Sequence, residues 1–436
     1  MDANNIDPMY ADYEKMMPHG KLSQFLFDYF RIYYKGITWM KATGEESFYQ
    51  ALQFNIKKYN KYKLLTGFLD SFVLKIYSKK KPSTGSSQDK KKILFRPFKY
   101  NHIILEVKKY HQAGLLVHGN WDRLLAAKNF MGYIATSDLD QYLLAYLKEK
   151  NIAYLYQLIK KIESKLKAAN PDYVVLWNDT LPMERAIILA SKKLGITTLE
   201  IQHGVYDSFW PLTNGNIADY VLVWGKYFKD LYVKQGKRKP EDIYVLGYPY
   251  AIGQEVKNRN NHYVVCYLGQ DLEIYNNDFL SVKLETLNSI YNICKKLDLE
   301  FVYRPHPGDD RELLKKKLVD IQFTDIKEGL EETFNRADIF ISFNSTALVE
   351  AVMRQKISLQ LLNYPIKSDN LEKLGACSAS LQTLEELENY LKKIVSAQNL
   401  DEFKITFNND YVETRYNPTE RFLEIIKEIE SKKIKI

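Results

Sequence analysis

The chain has 436 residues, 46% of them hydrophobic and 27% charged, ordinary proportions for a soluble globular protein and more length than one hydrophobic core uses, which predicts two domains plus appendages. Its 62 basic against 54 acidic residues leave a formal charge of +8, suited to anionic partners; no zinc-finger spacing or RNA-binding signature accompanies that charge, so nucleic acid is not an expected partner. Cys266, Cys294 and Cys377 are far apart and form no Cys-x-x-Cys pair, which argues against a zinc site and a disulfide framework.

The N-terminus is polar, without a basic start leading into an apolar core, and no run reaches the ~18 apolar residues of a membrane span, so a cytoplasmic protein is expected. Residues 1–77 read as a helical extension crowded with aromatics, and residues 78–92 as a linker or exposed loop rich in Ser, Lys and Gly. Two accounts of this region stay open: a basic, aromatic surface resting on the inner face of a membrane, or a helical cap packed on the main domain.

Short apolar runs then alternate with helical stretches, the pattern of a parallel sheet. Candidate strands are Ile93–Phe95, Leu115–Gly119, Tyr173–Asn178, Thr197–Gly204, Tyr220–Gly225 and Ile243–Gly247. A long stretch of helical periodicity ends before Pro171, and Asp179 with Thr180 is placed to cap a helix over Leu181–Lys193. A second series of strands runs His262–Gly269, Glu300–Pro307, Asp338–Phe343 and Ser358–Leu362, after a polar linker at Gly247–Asn261. The expected division is therefore 93–250 for a first Rossmann-like domain, 251–416 for a second, and 417–436 for a closing helix whose basic tail suits a helix C-terminus.

Ligands of open α/β sheets bind beyond the carboxyl ends of strands, so the residues just after each apolar run are the informative ones. His203 follows one such run and precedes Gly204; alone it reads equally as a satisfied core histidine. Arg304 and His306, in "RPHPGDD", alternate along another strand end and suit an anion clamp. At the end of a third, Asn344, Ser345 and Thr346 open a helix, where hydroxyls and free backbone N–H groups suit phosphate. Ordinary capping by Ser345 is the competing account. Glu350, one turn further in, could accept hydrogen bonds from a ribose.

Taken in order, "VVLWNDTLPMERAIILASKKLGITTLEIQHG", "RPHPGDD" and "ADIFISFNSTALVEA" resemble the motifs of bacterial capsule and surface-polysaccharide glycosyltransferases of the GT-B architecture, including sialyltransferase-like and Kdo transferase families and the glycerophosphate polymerases of teichoic acid synthesis. The resemblance spans about Tyr173 to Pro365. It implies an α/β protein with two Rossmann-like domains facing across a cleft; the N-terminal helical extension, which finds no match in the resemblance, and the C-terminal helix are read from the residues themselves. In the sialyltransferase-like families an acidic pair stands before the glycine; here the matching position is His203, as in the teichoic acid polymerases, which departs from the acidic pattern. His203 is the implied general base, with Asp179, Glu184 and Asp207 as understudies. Gln202, Gly204 and Tyr206 flank it as substrate contacts, Gly269 and Gln270 lie where such families bring backbone close to the nucleotide, and His306, Ser345 and Thr346 match groups that hold the donor phosphate.

The implied reaction is inverting and needs no cofactor and no metal ion, since Arg304, His306 and the helix near Thr346 would carry the phosphate charge. The implied partners are a nucleotide-activated sugar donor, CMP-linked acidic sugars included, and a saccharide or lipid-linked acceptor, with a peripheral membrane contact from the N-terminal helices. Three other readings stand beside it: a CDP-alditol phosphotransferase, an isomerase like the UDP-N-acetylglucosamine 2-epimerases, and a non-catalytic tether at a membrane surface.

Overall fold

A computed structural model describes residues 22–28, 48–49, 52–53, 90–96, 100–118, 120–129, 131–209, 217–250, 263–274 and 276–434. A first sheet contains β1 (Lys92–Arg96), β2 (Gln112–Val117), β3 (Gly132–Ala135), β4 (Tyr173–Leu176), β5 (Thr197–Ile201), β6 (Tyr220–Val223) and β7 (Ile243–Val245) in the order β3-β2-β1-β4-β5-β6-β7. A second contains β8 (Val264–Leu268), β9 (Glu300–Arg304), β10 (Gln322–Phe323), β11 (Ile339–Ser342), β12 (Ile357–Leu361) and β13 (Ala379–Leu381) in the order β10-β9-β8-β11-β12-β13. Both sheets are parallel throughout. The chain is thus an α/β protein with two Rossmann-like domains. Strand order reverses between β1 and β4 in the first sheet and between β8 and β11 in the second, the points where open sheets leave a crevice for ligands.

Central strands such as β4 (YVVL) and β8 (VVCYL) are buried at every position, because helices cover both faces; that is why they read as continuous apolar runs. The strands absent from the sequence expectations, β3, β10 and β13, are three of the four edge strands, with 4, 2 and 3 residues; the fourth edge, β7, was expected. The long helical stretch is divided into helices Asp140–Glu149 and Ala153–Ala169, broken where Lys150 takes a left-handed φ of 54°.

Two elements cross the expected divisions. Helix Pro418–Ile434 returns to the first domain, where Phe422, Ile425, Ile426 and Ile429 pack on Ile93 and Phe95. Their spacing puts one apolar stripe on one helix face, and full burial stabilises by about 1.5–3 kcal/mol per side chain. Helix Leu22–Asp28 buries Leu22, Phe25, Leu26 and Phe27 in the core beside helix Pro182–Lys193, with the Arg185 guanidinium 5.5 Å from the Phe25 ring centre. For these residues the packed account holds; most of 1–77, together with 78–89 and 251–262, lies outside the described residues. No helix among the described residues is long and apolar enough to cross a membrane.

The domains share an apolar seam. Val221, Val223, Trp224 and Phe228 of the first pack with Val264, Cys266, Phe340 and Leu348 of the second.

Candidate functional site

At the reversal point of the second sheet the loops after β8 and β11 are joined by an amide pair. Gln270 Nε2 donates to Asn344 O at 2.6 Å, and Asn344 N donates to Gln270 Oε1 at 2.9 Å. Gly269 is required by close approach: a Cβ there would lie 2.7 Å from Tyr303 Oη and 2.9 Å from His306 N, and the latter is backbone and cannot yield. The chain then enters helix Thr346–Met353, capped by Ser345, whose hydroxyl accepts from Ala347 N at 3.2 Å.

The loop after β9 is braced from below. Asp309 accepts from Tyr303 Oη and from His306 N, both at 2.7 Å, and from Lys283 Nζ at 2.7 Å; Lys283, buried, also reaches Glu273 at 2.5 Å. His306 Nδ1 lies 3.2 Å from Asp271 Oδ1, and 3.1 Å from Gly308 N. The two neighbours want opposite protonation of Nδ1. The Asp271 hydrogen bond raises the imidazole above its ordinary value, so the charged form donating to Asp271 is favoured. Burial alone would raise Asp271, but the His306 hydrogen bond and charge outweigh it and hold that carboxyl below the usual range. His306 is 42% exposed, so its cation is open to a ligand.

On the first-domain side, His203 follows β5 with its ring edge-on to Trp177, centroids 4.9 Å apart. Tyr206 Oη stands 3.4 Å from both His203 Nδ1 and Glu200 Oε1, linking the imidazole to a carboxyl buried inside the sheet. Burial, together with the charge of Asp179, pushes Glu200 well above the carboxylate range. Burial likewise pushes Asp179 up to about 6, although its Oδ2 accepts from Ala218 N at 3.1 Å and from Ile217 N. Asp179 Oδ1 and Glu200 Oε2 have no hydrogen-bond partner among the described residues. Glu200 and the Lys283 network are absent from the sequence expectations. The signal for Glu200 was a lone carboxylate in the otherwise uncharged run "TTLEI".

The two halves touch through the His203 loop. Val205 N donates to Thr346 Oγ1 at 3.1 Å, and a Cβ on Gly204 would come within 3.3 Å of that hydroxyl. Asp207 accepts from Asn344 Nδ2 at 2.9 Å, Ser368 Oγ at 2.5 Å and Asp369 N at 2.8 Å, all in the second domain. Asp369 answers by accepting from Ser208 N at 2.6 Å and Tyr227 Oη at 2.8 Å. Asp207 is therefore a clamp between the domains, and burial beside Asp369 raises its carboxyl.

Other expected site residues are used elsewhere. Asp179 does not cap the helix after β4: that helix spans Pro182–Lys193, and Asn178 Oδ1 takes the N–H groups of Thr180 and Leu181, each at 3.2 Å. Glu184 is ion-paired with Arg96 at 2.8 Å, across Trp177 from His203. Arg304 does not join His306 in a clamp; its Nη1 donates to Thr333 Oγ1 at 2.6 Å and to the carbonyls of Glu328 and Gly329. Strand alternation cannot show this, since a side chain at a strand's last residue bends to the nearest acceptors. Glu350 is hydrogen-bonded to Tyr248 at the domain seam, where burial raises its carboxyl. Gln202 is a buried brace, donating to Gly204 O at 2.8 Å and accepting from Trp224 N at 2.9 Å.

Comparison with protein-family profiles found no matching family, and comparison with curated proteins found no match. Solved structures do match in fold. A Staphylococcus aureus MnaA–UDP structure aligns with a TM-score of 0.55 at 15% identity, covering 78% of this chain and 97% of that one. A Methanocaldococcus jannaschii UDP-GlcNAc 2-epimerase in complex with UDP-GlcNAc and UDP aligns at 0.53 and 17% identity, covering 77% and 98%. A Neisseria meningitidis UDP-GlcNAc 2-epimerase bound to UDP-GlcNAc aligns at 0.54 and 14% identity, covering 77% and 98%. At such identities the likeness is one of fold: two Rossmann-like domains of the GT-B kind.

Proposed function

We propose that this chain is an inverting glycosyltransferase that moves a sugar from a nucleotide-activated donor to a hydroxyl acceptor. The observation that carries the reading is the meeting of the His203 loop with the start of helix Thr346–Met353, joined by Val205 N and Thr346 Oγ1. The loop that carries the imidazole thus abuts a helix N-terminus of the other domain, and a helix N-terminus favours negative charge. In this reading a neutral His203 accepts the proton of the acceptor hydroxyl as that oxygen bonds to the anomeric carbon. The bond from that carbon to the phosphate oxygen breaks, its electron pair goes to the phosphate, and His306 with the helix start stabilises that charge. Tyr206 Oη, 3.4 Å from Nδ1, orients the imidazole.

A second reading, epimerisation of a nucleotide sugar, is favoured by the fold neighbours titled UDP-GlcNAc 2-epimerase. Incubation with CMP-, CDP-, UDP- and GDP-sugars, scored for released nucleotide and for an altered sugar, separates the two. His203→Ala is expected to lower turnover by roughly 10²-fold or more while nucleotide affinity by calorimetry stays within twofold, about the scatter of such a measurement. Equal turnover removes His203 from the chemistry, and an altered sugar without transfer replaces transferase by epimerase. The teichoic acid type of transfer is recognised by a phosphorylated product from a CDP-alditol.

A further inference from the structure

A cavity of about 430 Å³ opens at the reversal point of the first sheet, beyond the ends of β1, β2 and β4. Its volume is in the range of small-molecule sites, and its position is where open α/β sheets bind ligands. Arg96 and Glu184 form a buried ion pair in it, and Arg96 Nη1 also donates to Thr136 Oγ1 at 2.7 Å. His118 Nε2 lies 2.6 Å from Asp140 Oδ2; the histidine side chain is 33% exposed and the carboxylate 5%. Asp122 adds a third carboxylate, and Trp177 and Leu143 contribute apolar wall.

We infer that this cavity binds the uncharged sugar ring of the acceptor, with His118 oriented by Asp140 as its hydrogen-bonding group and Trp177 as its stacking wall. The inference rests on the transferase reading and adds the acceptor's class. The charge balance supplies the class: among the described lining residues the one guanidinium is paired with Glu184, and two further carboxylates stand nearby, so a phosphate or carboxylate would enter against like charge. A sugar hydroxyl both donates and accepts, so it can meet a carboxylate and an imidazole alike. The apolar wall and indole suit the C–H face of a pyranose. Trp177 also touches His203, so the indole links the cavity to the candidate base.

The test is saturation-transfer NMR on the full chain with methyl glucoside, methyl galactoside and methyl N-acetylglucosaminide, against methyl glucuronide and glucose 1-phosphate. Binding of at least one neutral glycoside is expected, with the anionic probes weaker by about tenfold or more. Leu143→Trp, which fills the cavity, should abolish the neutral signal while CMP, CDP and UDP affinities by calorimetry are unchanged. His118→Gln, near the surface, should weaken it and keep the wild-type melting temperature, which covers the case in which Leu143→Trp fails to fold. Anionic probes binding as tightly as neutral ones, or neutral binding unchanged in both variants, overturns the inference. Because binding needs no turnover, a neutral signal lost in the variants without nucleotide release from any donor supports the sugar site and removes the transferase reading alone.

Discussion

Beneath the His306 loop of the second domain a buried cation meets carboxylates: Lys283 lies between Glu273 and Asp309, and His306 is paired with Asp271, although burial still raises Glu273, which keeps one carboxyl oxygen without a hydrogen-bond partner among the described residues. In the first domain Asp179 and Glu200 are deeper than Glu273; each likewise keeps one carboxyl oxygen without a hydrogen-bond partner among the described residues, and both are displaced toward the protonated form. The physical difference is direct contact with a cation: Lys283 Nζ lies 2.5 Å from Glu273 and 2.7 Å from Asp309, whereas at Asp179 the charges of Arg185 and Arg238 do not outweigh burial. Paired charge braces the loop that carries His306, the group that would meet an anion. Carboxyls displaced toward neutrality suit a region that holds protons. The contrast agrees with a division in which the second domain binds the donor phosphate and the first handles the acceptor proton.

The largest expected effect comes from unpairing the second domain. Lys283→Met leaves Asp309 and Glu273 buried without their cation, and should lower unfolding stability by about 3–5 kcal/mol in a urea titration; a loss below about 1 kcal/mol would show that the triad is not what neutralises that region. Asp179→Asn tests the other half. Its carboxyl rises from 3.8 to about 6 in the fold, so its contribution is fully present below about pH 4 and is lost as pH rises through about 6. The wild type should therefore lose roughly 2–3 kcal/mol across that window relative to the variant, read as the difference of their urea midpoints at each pH. Parallel pH profiles would mean that the two carboxyls are not held as described.

Smaller effects sharpen the boundary between the halves. His306→Ala should weaken donor-nucleotide binding by about tenfold, the size of one charge-assisted hydrogen bond, and calorimetry with CMP, CDP and UDP measures it. Unchanged affinity for all three removes His306 from the phosphate site. Thr346→Val keeps the shape but leaves Val205 N–H without its acceptor, for a loss of about 1 kcal/mol in thermal unfolding. A variant as stable as the wild type would indicate that this contact is open in solution.

Legibility followed burial. β4, β8 and β11 could be read because strands covered on both faces need apolar residues at nearly every position. β3 and β10 are short edge strands of 4 and 2 residues and left no comparable signal, while the edge strand β7 was read from its apolar run. In the site, His203, Gly269 and His306 were legible as residues just beyond strand ends, and the structure brings the His203 loop to Thr346. Glu200 was passed over because a single charge inside a strand looks like a solvent-facing position until both faces are known to be covered. Arg304 was over-read, since its acceptors at Thr333 and Gly329 belong to a helix 25 or more residues downstream.

By itself the sequence determined the alternation of strands and helices, the two series of strands and the strand-end positions where polar residues gather, because apolar periodicity and caps are local consequences of burial and backbone hydrogen bonding. Only the tertiary structure decided which strand ends became neighbours, that the last helix closes the first domain through Phe422 and Ile425, and that Glu200 lost its water while Lys283 gained two carboxylates. Those outcomes depend on contacts between segments far apart in the chain, where the environment of a charge is set by what packs over it.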